Sequence, residues 1–302
     1  MSQLQYHLID MFTREPLAGN QLAVFDEPGE IDDDLMQKLA GELCQSETTF
    51  VFPPAKKEND FLVRIFTPKT EIGFAGHPTL GTAFLLAHVG KAALSGAEKV
   101  LKFEEGIGVV PVTVVAEGGK PGLIKMTHEL PRFGEEFSDR FTLAEMLSID
   151  SGTLHTRYKP QVVNCGIPFL LVAVKSLDIV KNVKLRLDVW QRLLRSSDAC
   201  CVLVFTTETV QENSSVHCRV FAPGLGVMED AATGSANGPL GCYLVEHGII
   251  ECEDKVTIIS EQGFEMGRPS LINVEIGRSE GKINSVTVGG HAVYIGSGSI
   301  NV

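Results

Sequence analysis

The chain has no CxxC pair, no HxxxH pair and only one tryptophan in 302 residues. Seven cysteines (Cys44, Cys165, Cys200, Cys201, Cys218, Cys242, Cys252) form an odd set without the short spacings of a zinc site. Free, mostly buried thiols and no metal site are expected. Basic residues are scarce: 26 Lys and Arg face 38 Asp and Glu, a formal charge of −12. Nucleic-acid affinity is built from cations that displace counterions, so a phosphate backbone is excluded as a partner. No apolar run reaches membrane-spanning length. The opening MSQLQYHLIDMF lacks the basic and apolar regions of a secretory signal, so a cytoplasmic protein is expected.

What is present is a duplication. Arg64 to Gly90 and Arg219 to Gly248 share one plan: Arg-β-branched-Phe-x-Pro, a glycine-bearing loop, then an apolar helix ending at a histidine and a glycine. Gly76 to Gly234 and Gly90 to Gly248 are both offsets of 158, and EEGIG around Gly106 answers EQGFEMG around Gly263 at 157. Repeats of solenoid proteins recur at roughly 20 to 50 residues, so this period signals doubled domains. Length agrees, at about 100 to 200 residues per domain. The halves are placed at 1–127 and 128–290, with the boundary in the polar stretch His128 to Arg140. The last strand, near 291–302, is free to rejoin the first half.

Short apolar and alternating runs predict strands near 5–12, 20–26, 47–53, 60–67, 99–104, 107–115 and 122–127. The second half repeats them near 161–165, 168–174, 200–206, 216–222, 255–261, 271–278, 283–288 and 291–296. Surface helices are expected from Leu35, behind the acidic run Asp32–Asp34, and near 187–196 around Trp190. The segments from Thr79 to Val89 and from Leu240 to Val245 have almost no polar face. A helix apolar all round is a buried one. Pro78 suits its first helical position and Pro239 a first turn, while Gly90 and Gly248 are stops. The fold class is therefore α+β, with a curled, mostly antiparallel sheet around one central helix in each half.

Both buried helices begin at glycine-rich loops, GFAGHPTLG (73–81) and EDAATGSANGPLG (229–241). A helix start presents free N–H groups and about half a positive charge, which suits a carboxylate or phosphate. Two related starts could grip one anion between the halves; glycines that merely permit tight turns are the alternative. GHPTLGT has P-loop glycine spacing but Thr82 in place of the lysine. TGSANG lacks the GxSxG elbow, which leaves Ser235 a weak nucleophile with helix capping as its other role.

The motifs GNQLAVF (19–25), SETTFVF (46–52), FTPKTEIGFAGHPTLGTA (66–83), FAPGLGVMEDAATGSANGPLG (221–241) and QGFEMGRPS (262–270) resemble the PhzF-like isomerases of phenazine biosynthesis. The resemblance runs nearly end to end. It implies the two-domain diaminopimelate epimerase-like fold, a homodimer and no cofactor. It places the general acid/base on Glu47, the loop histidine on His77, the loop aspartate on Asp230 and the loop serine on Ser235. Substrate contacts are implied at Asn20, Ser46, Gly76, Gly234, Ser235, Gln262 and Gly263. Arg268 could pair with a substrate carboxylate or with a surface acid. Related epimerases carry a cysteine ahead of each helix, where this chain has Ala75 and Thr233. The implied reaction is a 1,5 proton shift in a dihydro-hydroxyanthranilate-like acid, followed by tautomerisation to a ketone. Moving a proton between carbons requires a base and a means of holding delocalised charge. A carboxyl group shielded from water, in an interdomain cleft, can both take a proton and return it. The alternatives are a small-anion binding or protein-interaction module on an inactive isomerase scaffold, and an amino-acid racemase, which needs two opposed bases.

Overall fold

The structure, a computed structural model, describes residues 3–194, 197, 199 and 201–302. In chain order the first elements are β1 (Gln3–Met11), β2 (Asn20–Phe25), α1 (Asp33–Leu43), β3 (Glu47–Phe52), β4 (Phe61–Phe66), β5 (Glu71–Ile72), α2 (Gly76–His88), β6 (Glu98–Glu105), β7 (Gly108–Glu117) and β8 (Lys120–Thr127). Next come β9 (Arg132–Glu136), α3 (Arg140–Leu147), β10 (Gln161–Asn164), β11 (Pro168–Ala173), α4 (Leu177–Asn182), α5 (Leu187–Leu193), β12 (Cys201–Thr206), β13 (Val216–Ala222) and β14 (Val227–Asp230). The chain ends with α6 (Gly234–Glu246), β15 (Lys255–Gln262), β16 (Ser270–Ser279), β17 (Lys282–Gly290) and β18 (Ala292–Asn301). Two compact units result, Met1–Thr127 with Gly289–Val302, and His128–Val288.

Inside the first unit β18, β1 and β2 pair antiparallel; β2 and β3 run parallel, β3 and β4 antiparallel, β4 and β6 parallel. The hairpins β6–β7 and β7–β8 complete it, with β5 on β4. The second unit repeats this order: β9, β10 and β11 antiparallel, β11–β12 parallel, β12–β13 antiparallel, β13–β15 parallel, β15–β16 antiparallel, and β14 on β13. Each unit packs its buried helix against its strands, α2 on β1, β2, β3, β7, β8 and β18, and α6 on β10, β11 and β16, while α1 covers β3 and β4 and α4 covers β12 and β13. The fold is thus the mostly antiparallel α+β architecture that the duplicated pattern predicted.

Every residue of α2 from Gly76 to Ala87 is buried, as its all-round apolar sequence requires. Helix α6 is buried from Gly234 to Val245 except at Ser235. Both stop where expected, at Gly90 (φ +80°) and Gly248 (φ +63°), a conformation that costs glycine nothing. Both also begin earlier than their apolar runs. Pro78 is the third residue of α2, where a missing N–H still removes no helical bond. Pro239, expected in a first turn, is instead the sixth residue of α6 and removes the bond its N–H would give to the Ser235 carbonyl. The small, polar residues of GSANG hide a helical turn that periodicity could not reveal.

The Arg-x-Phe part of the duplication is a clamp across a hairpin. Arg64 lies over the Phe66 ring (5.3 Å) and holds Glu71 with two bonds of 2.7 Å. Arg219 lies over Phe221 (5.0 Å) and holds Glu229 at 2.7 and 2.9 Å. The pairs fasten β5 to β4 and β14 to β13, so each strand that leads into a central helix is held to its neighbour.

Elements too short or too polar to show a period were missed: β5, β9, β14, α3 and α4. Strand β9 occupies the stretch expected to be a linker, because its edge pairs with β10 although all five of its residues are exposed. The helix around Trp190 ends at Leu193. Residues 195, 196 and Cys200, which the predicted 187–196 helix and 200–206 strand include, lie outside the described residues. Cys44 is exposed; Cys165, Cys201, Cys218, Cys242 and Cys252 are buried. No described helix is long and apolar enough to cross a membrane. Leu85 is wholly buried in α2. Leu85→Ala should therefore cost about 2–5 kcal/mol, read as a lower denaturation midpoint at unchanged m-value.

Candidate functional site

In the first unit, five of the residues singled out in the sequence converge at the start of α2. Strand β3 opens at Glu47, in parallel register beside Leu22 of β2, and α2 opens at Gly76 and His77. The imidazole Nε2 of His77 lies 3.3 Å from Glu47 Oε2 and 3.3 Å from the carbonyl oxygen of Gln21. Its Nδ1 lies 3.4 Å from Asn20 Nδ2, and Asn20 Oδ1 accepts a 3.1 Å bond from Ser46 Oγ. Side-chain exposure is 13% for Glu47 and 7% for His77, and Asn20 is buried.

These contacts assign the proton on His77. The amide nitrogen of Asn20 can only donate, so Nδ1 is the acceptor and Nε2 carries the hydrogen toward the Gln21 carbonyl and Glu47. Burial lowers His77 to about 4, against a smaller opposing effect of the Gln21 carbonyl, so the ring is neutral at physiological pH. The single Nε2 hydrogen serves the Gln21 carbonyl, so the neutral ring stands 3.3 Å from Glu47 Oε2 without neutralising it. The N-cap Ala75 has no side chain to bond the first-turn N–H groups of α2.

The second unit assembles a different network at the start of α6. Thr233, the N-cap position, donates from its hydroxyl to Asp230 Oδ2 (2.6 Å). Gln262 Oε1 accepts from the Thr233 N–H and from Asn237 Nδ2, both at 3.0 Å. Gln262 Nε2 donates to the Asp230 carbonyl (2.8 Å) and to Thr233 Oγ1 (2.9 Å). Gly263 is seated under the loop, where an added Cβ would fall 2.4 Å from the oxygens of Ala231 and Arg268. Gly234 is buried as the first residue of α6; Ser235, half-buried, is the second, so the place of the cap belongs to Thr233. Arg268 lies on the loop beside Gly263, and its carbonyl oxygen accepts the Ser270 hydroxyl at 2.9 Å.

Next to Gln262, His217 is wholly buried between Glu261 (2.8 Å) and Glu265 (3.0 Å). Burial opposes charge on this ring, but the two carboxylates outweigh it and hold His217 above its ordinary value. This braces β15, the strand that carries Gln262. Among the described residues no group of three or more His, Cys, Asp or Glu side chains is placed to hold a metal ion.

Sequence reasoning passed over the Gln21 carbonyl, Asn237 and Glu105. A carbonyl leaves no trace in a sequence. The other two were accessible through the repeat, since Asn237 stands 158 residues after Thr79 and Gln262 stands 157 after Glu105.

Comparison with known proteins gives the family and the fold. The family model described as "Phenazine biosynthesis-like protein" matches residues 9–298. The trans-2,3-dihydro-3-hydroxyanthranilate isomerase of Pseudomonas fluorescens is 34% identical over 98% of each chain. A crystal structure of a PhzF-family phenazine biosynthesis protein from Bacillus anthracis superposes with a TM-score of 0.91 at 25% identity, covering all of both chains. A probable proline racemase from Agrobacterium radiobacter shares the fold alone, with a TM-score of 0.66 at 13% identity over 99% of this chain and 93% of that one.

A histidine whose pKa is depressed on folding binds fewer protons in the folded state. Stability contributed by neutral His77 is therefore present above about pH 6.5 and is lost as pH falls toward 4. Nitrogen NMR of the His77 ring should show the Nε2–H tautomer down to about pH 5, with protonation only near pH 4.

Proposed function

The chain belongs to the phenazine biosynthesis-like family of isomerases, and on that premise we propose that it moves a proton between carbons of a small cyclic carboxylic acid with Glu47 as the single acid/base. The observation that carries this reading is the mostly buried Glu47 carboxyl, 3.3 Å from a neutral imidazole N–H.

The carboxylate of Glu47 takes a proton from one ring carbon. As the acid it returns that proton to another, so the substrate is rearranged with no net loss of atoms or electrons. The negative charge that spreads through the substrate between the two transfers needs donors. His77 Nε2–H and the first-turn N–H groups of α2 supply them in the first unit. His77 must stay neutral for this, because an imidazolium would quench the base beside it. Burial and the Asn20–Ser46 chain keep it so. In the second unit Asp230, which accepts the Thr233 hydroxyl, stands just ahead of the start of α6.

The relative from Pseudomonas fluorescens is named for trans-2,3-dihydro-3-hydroxyanthranilate. A dihydro-hydroxyanthranilate-like acid is accordingly the substrate class proposed here, with no cofactor. A two-base racemase is disfavoured: Ala75 has no proton to exchange, and the Thr233 hydroxyl is engaged with Asp230 and Gln262.

Removing a general acid/base costs typically about 10²–10⁴-fold. Glu47→Gln should lose solvent-deuterium exchange at the substrate carbon by that factor when cyclic amino and hydroxy acids are screened, with the unfolding midpoint within about 1 kcal/mol of the parent. Undiminished exchange in the Gln variant would end this mechanism.

A further inference from the structure

The two units build the start of their central helix on one frame, and differ in the side chain that meets it from the neighbouring strand. In the second, Gln262 fastens the loop before α6 to the helix. Asn237, the fourth residue of α6, provides two amide hydrogens, one to the Thr233 carbonyl (2.9 Å) and one to Gln262 Oε1 (3.0 Å). In the first, offsets of 157 or 158 place Gly106 for Gly263, Gly73 for Ala231, Ala75 for Thr233 and Thr79 for Asn237. The steric contact is repeated as well: a Cβ on Gly106 would fall 2.6 Å from Gly73 Cα. The residue that stands for Gln262 is Glu105.

Hydrogen counting exposes the consequence. Thr79 Oγ1 lies 2.8 Å from the Ala75 carbonyl oxygen and 2.7 Å from Glu105 Oε1. A hydroxyl has one hydrogen, and neither a carbonyl nor a carboxylate has any. The one hydroxyl hydrogen of Thr79 serves one of these two contacts, the Ala75 carbonyl also accepting the Thr79 N–H at 3.3 Å, and both short contacts are hydrogen bonds only when Glu105 carries a proton. Glu105 is 7% exposed, and its Oε2 is buried with no hydrogen-bond partner. That oxygen is cheap to bury on a neutral acid and costly on an anion. Arg64 lines the same cavity of about 470 Å³, with Glu71, but its guanidinium is committed to Glu71 and to Asp33 (2.6 Å).

We propose that Glu105 is held as a neutral carboxylic acid that positions the start of α2, its proton replacing the second amide hydrogen that Asn237 supplies in the other unit. Glu105 donates to Thr79, Thr79 donates to Ala75, and the turn bearing Gly76 and His77 is fixed. Burial, against the smaller effect of Thr79, raises Glu105 to about 8, in keeping with this assignment. Glu105 is a positioning residue, and its effect on turnover rests on the reading of Glu47 above.

The sign follows from linkage. The folded chain keeps a proton that the unfolded chain releases above about pH 4.5, so stability falls as pH rises from there to about 8 and then levels. Glu105→Gln, which recreates the side chain found in the other unit, should remove this decline. The difference in Tm, variant minus parent, should grow across pH 4.5 to 8, and a carboxylic-acid carbonyl band in the infrared spectrum at pH 7 should vanish. Thr79→Asn supplies the missing hydrogen from the other side. It should flatten the same decline with Glu105 intact, and it serves as the test if the Gln variant fails to fold. A Tm difference constant over this range, or an unchanged infrared band, would overturn the proposal. These readouts do not involve Glu47. Where the parent catalyses deuterium exchange, its rate should drop several-fold from pH 7 to 9 and that of Glu105→Gln should not. A parent silent in exchange at every pH, with the Tm and infrared results as expected, would sink the isomerase reading and leave Glu105 standing.

Discussion

A helix buried on every side poses a problem that a surface helix does not: its first N–H groups and the polar loop feeding it have no water to turn to. Helices α2 and α6 are both of this kind, and neither N-cap residue bonds its own helix with a side chain. In each unit a polar side chain at the end of a long strand meets the start of the helix: Gln262, ending β15, accepts the Thr233 N–H, and Glu105, ending β6, meets the Thr79 hydroxyl. Everything chemical in the molecule grows out of that requirement, because the groups that satisfy the helix starts are also the groups that stand beside them.

The two solutions have diverged in character. The network of α6 is made of neutral amides and hydroxyls around Asp230, each donor matched to an acceptor. That of α2 places an imidazole between an amide and a carboxylate, and a second carboxyl group against a threonine. The amides and hydroxyls of the α6 network carry no proton that titrates near neutrality. One built on His77, Glu47 and Glu105 contains groups whose protons can be moved, which is the property an acid/base site needs. The Arg64–Glu71 and Arg219–Glu229 clamps, by contrast, are alike in both units. They fix strands, and a fixed strand needs no change of proton state.

How much of this was legible in the chain can be judged residue by residue. The positions of most strands, the burial of both central helices and their glycine stops followed from periodicity and from the repeat, since a hydrophobic pattern shows directly which faces are hidden from water. Strands β5 and β14 did not, because two to four residues contain no period. The true start of α6 did not, because glycine, serine and asparagine carry no hydrophobic signal. Glu47 and His77 were marked by resemblance. Asn20 and Ser46 were marked without a reason that residues alone could supply; the reason is the donor–acceptor chain that fixes the His77 tautomer.

A doubled α+β chain with a buried apolar helix in each half and polar, glycine-rich loops ahead of them follows from local composition and spacing alone. Which polar atoms meet depends on folding. Residues as far apart as Asn20 and His77, or Thr79 and Glu105, acquire their protonation from distances of about 3 Å that no local pattern encodes. Hydrogen bonds act over one atomic contact, and only the folded chain brings those contacts about.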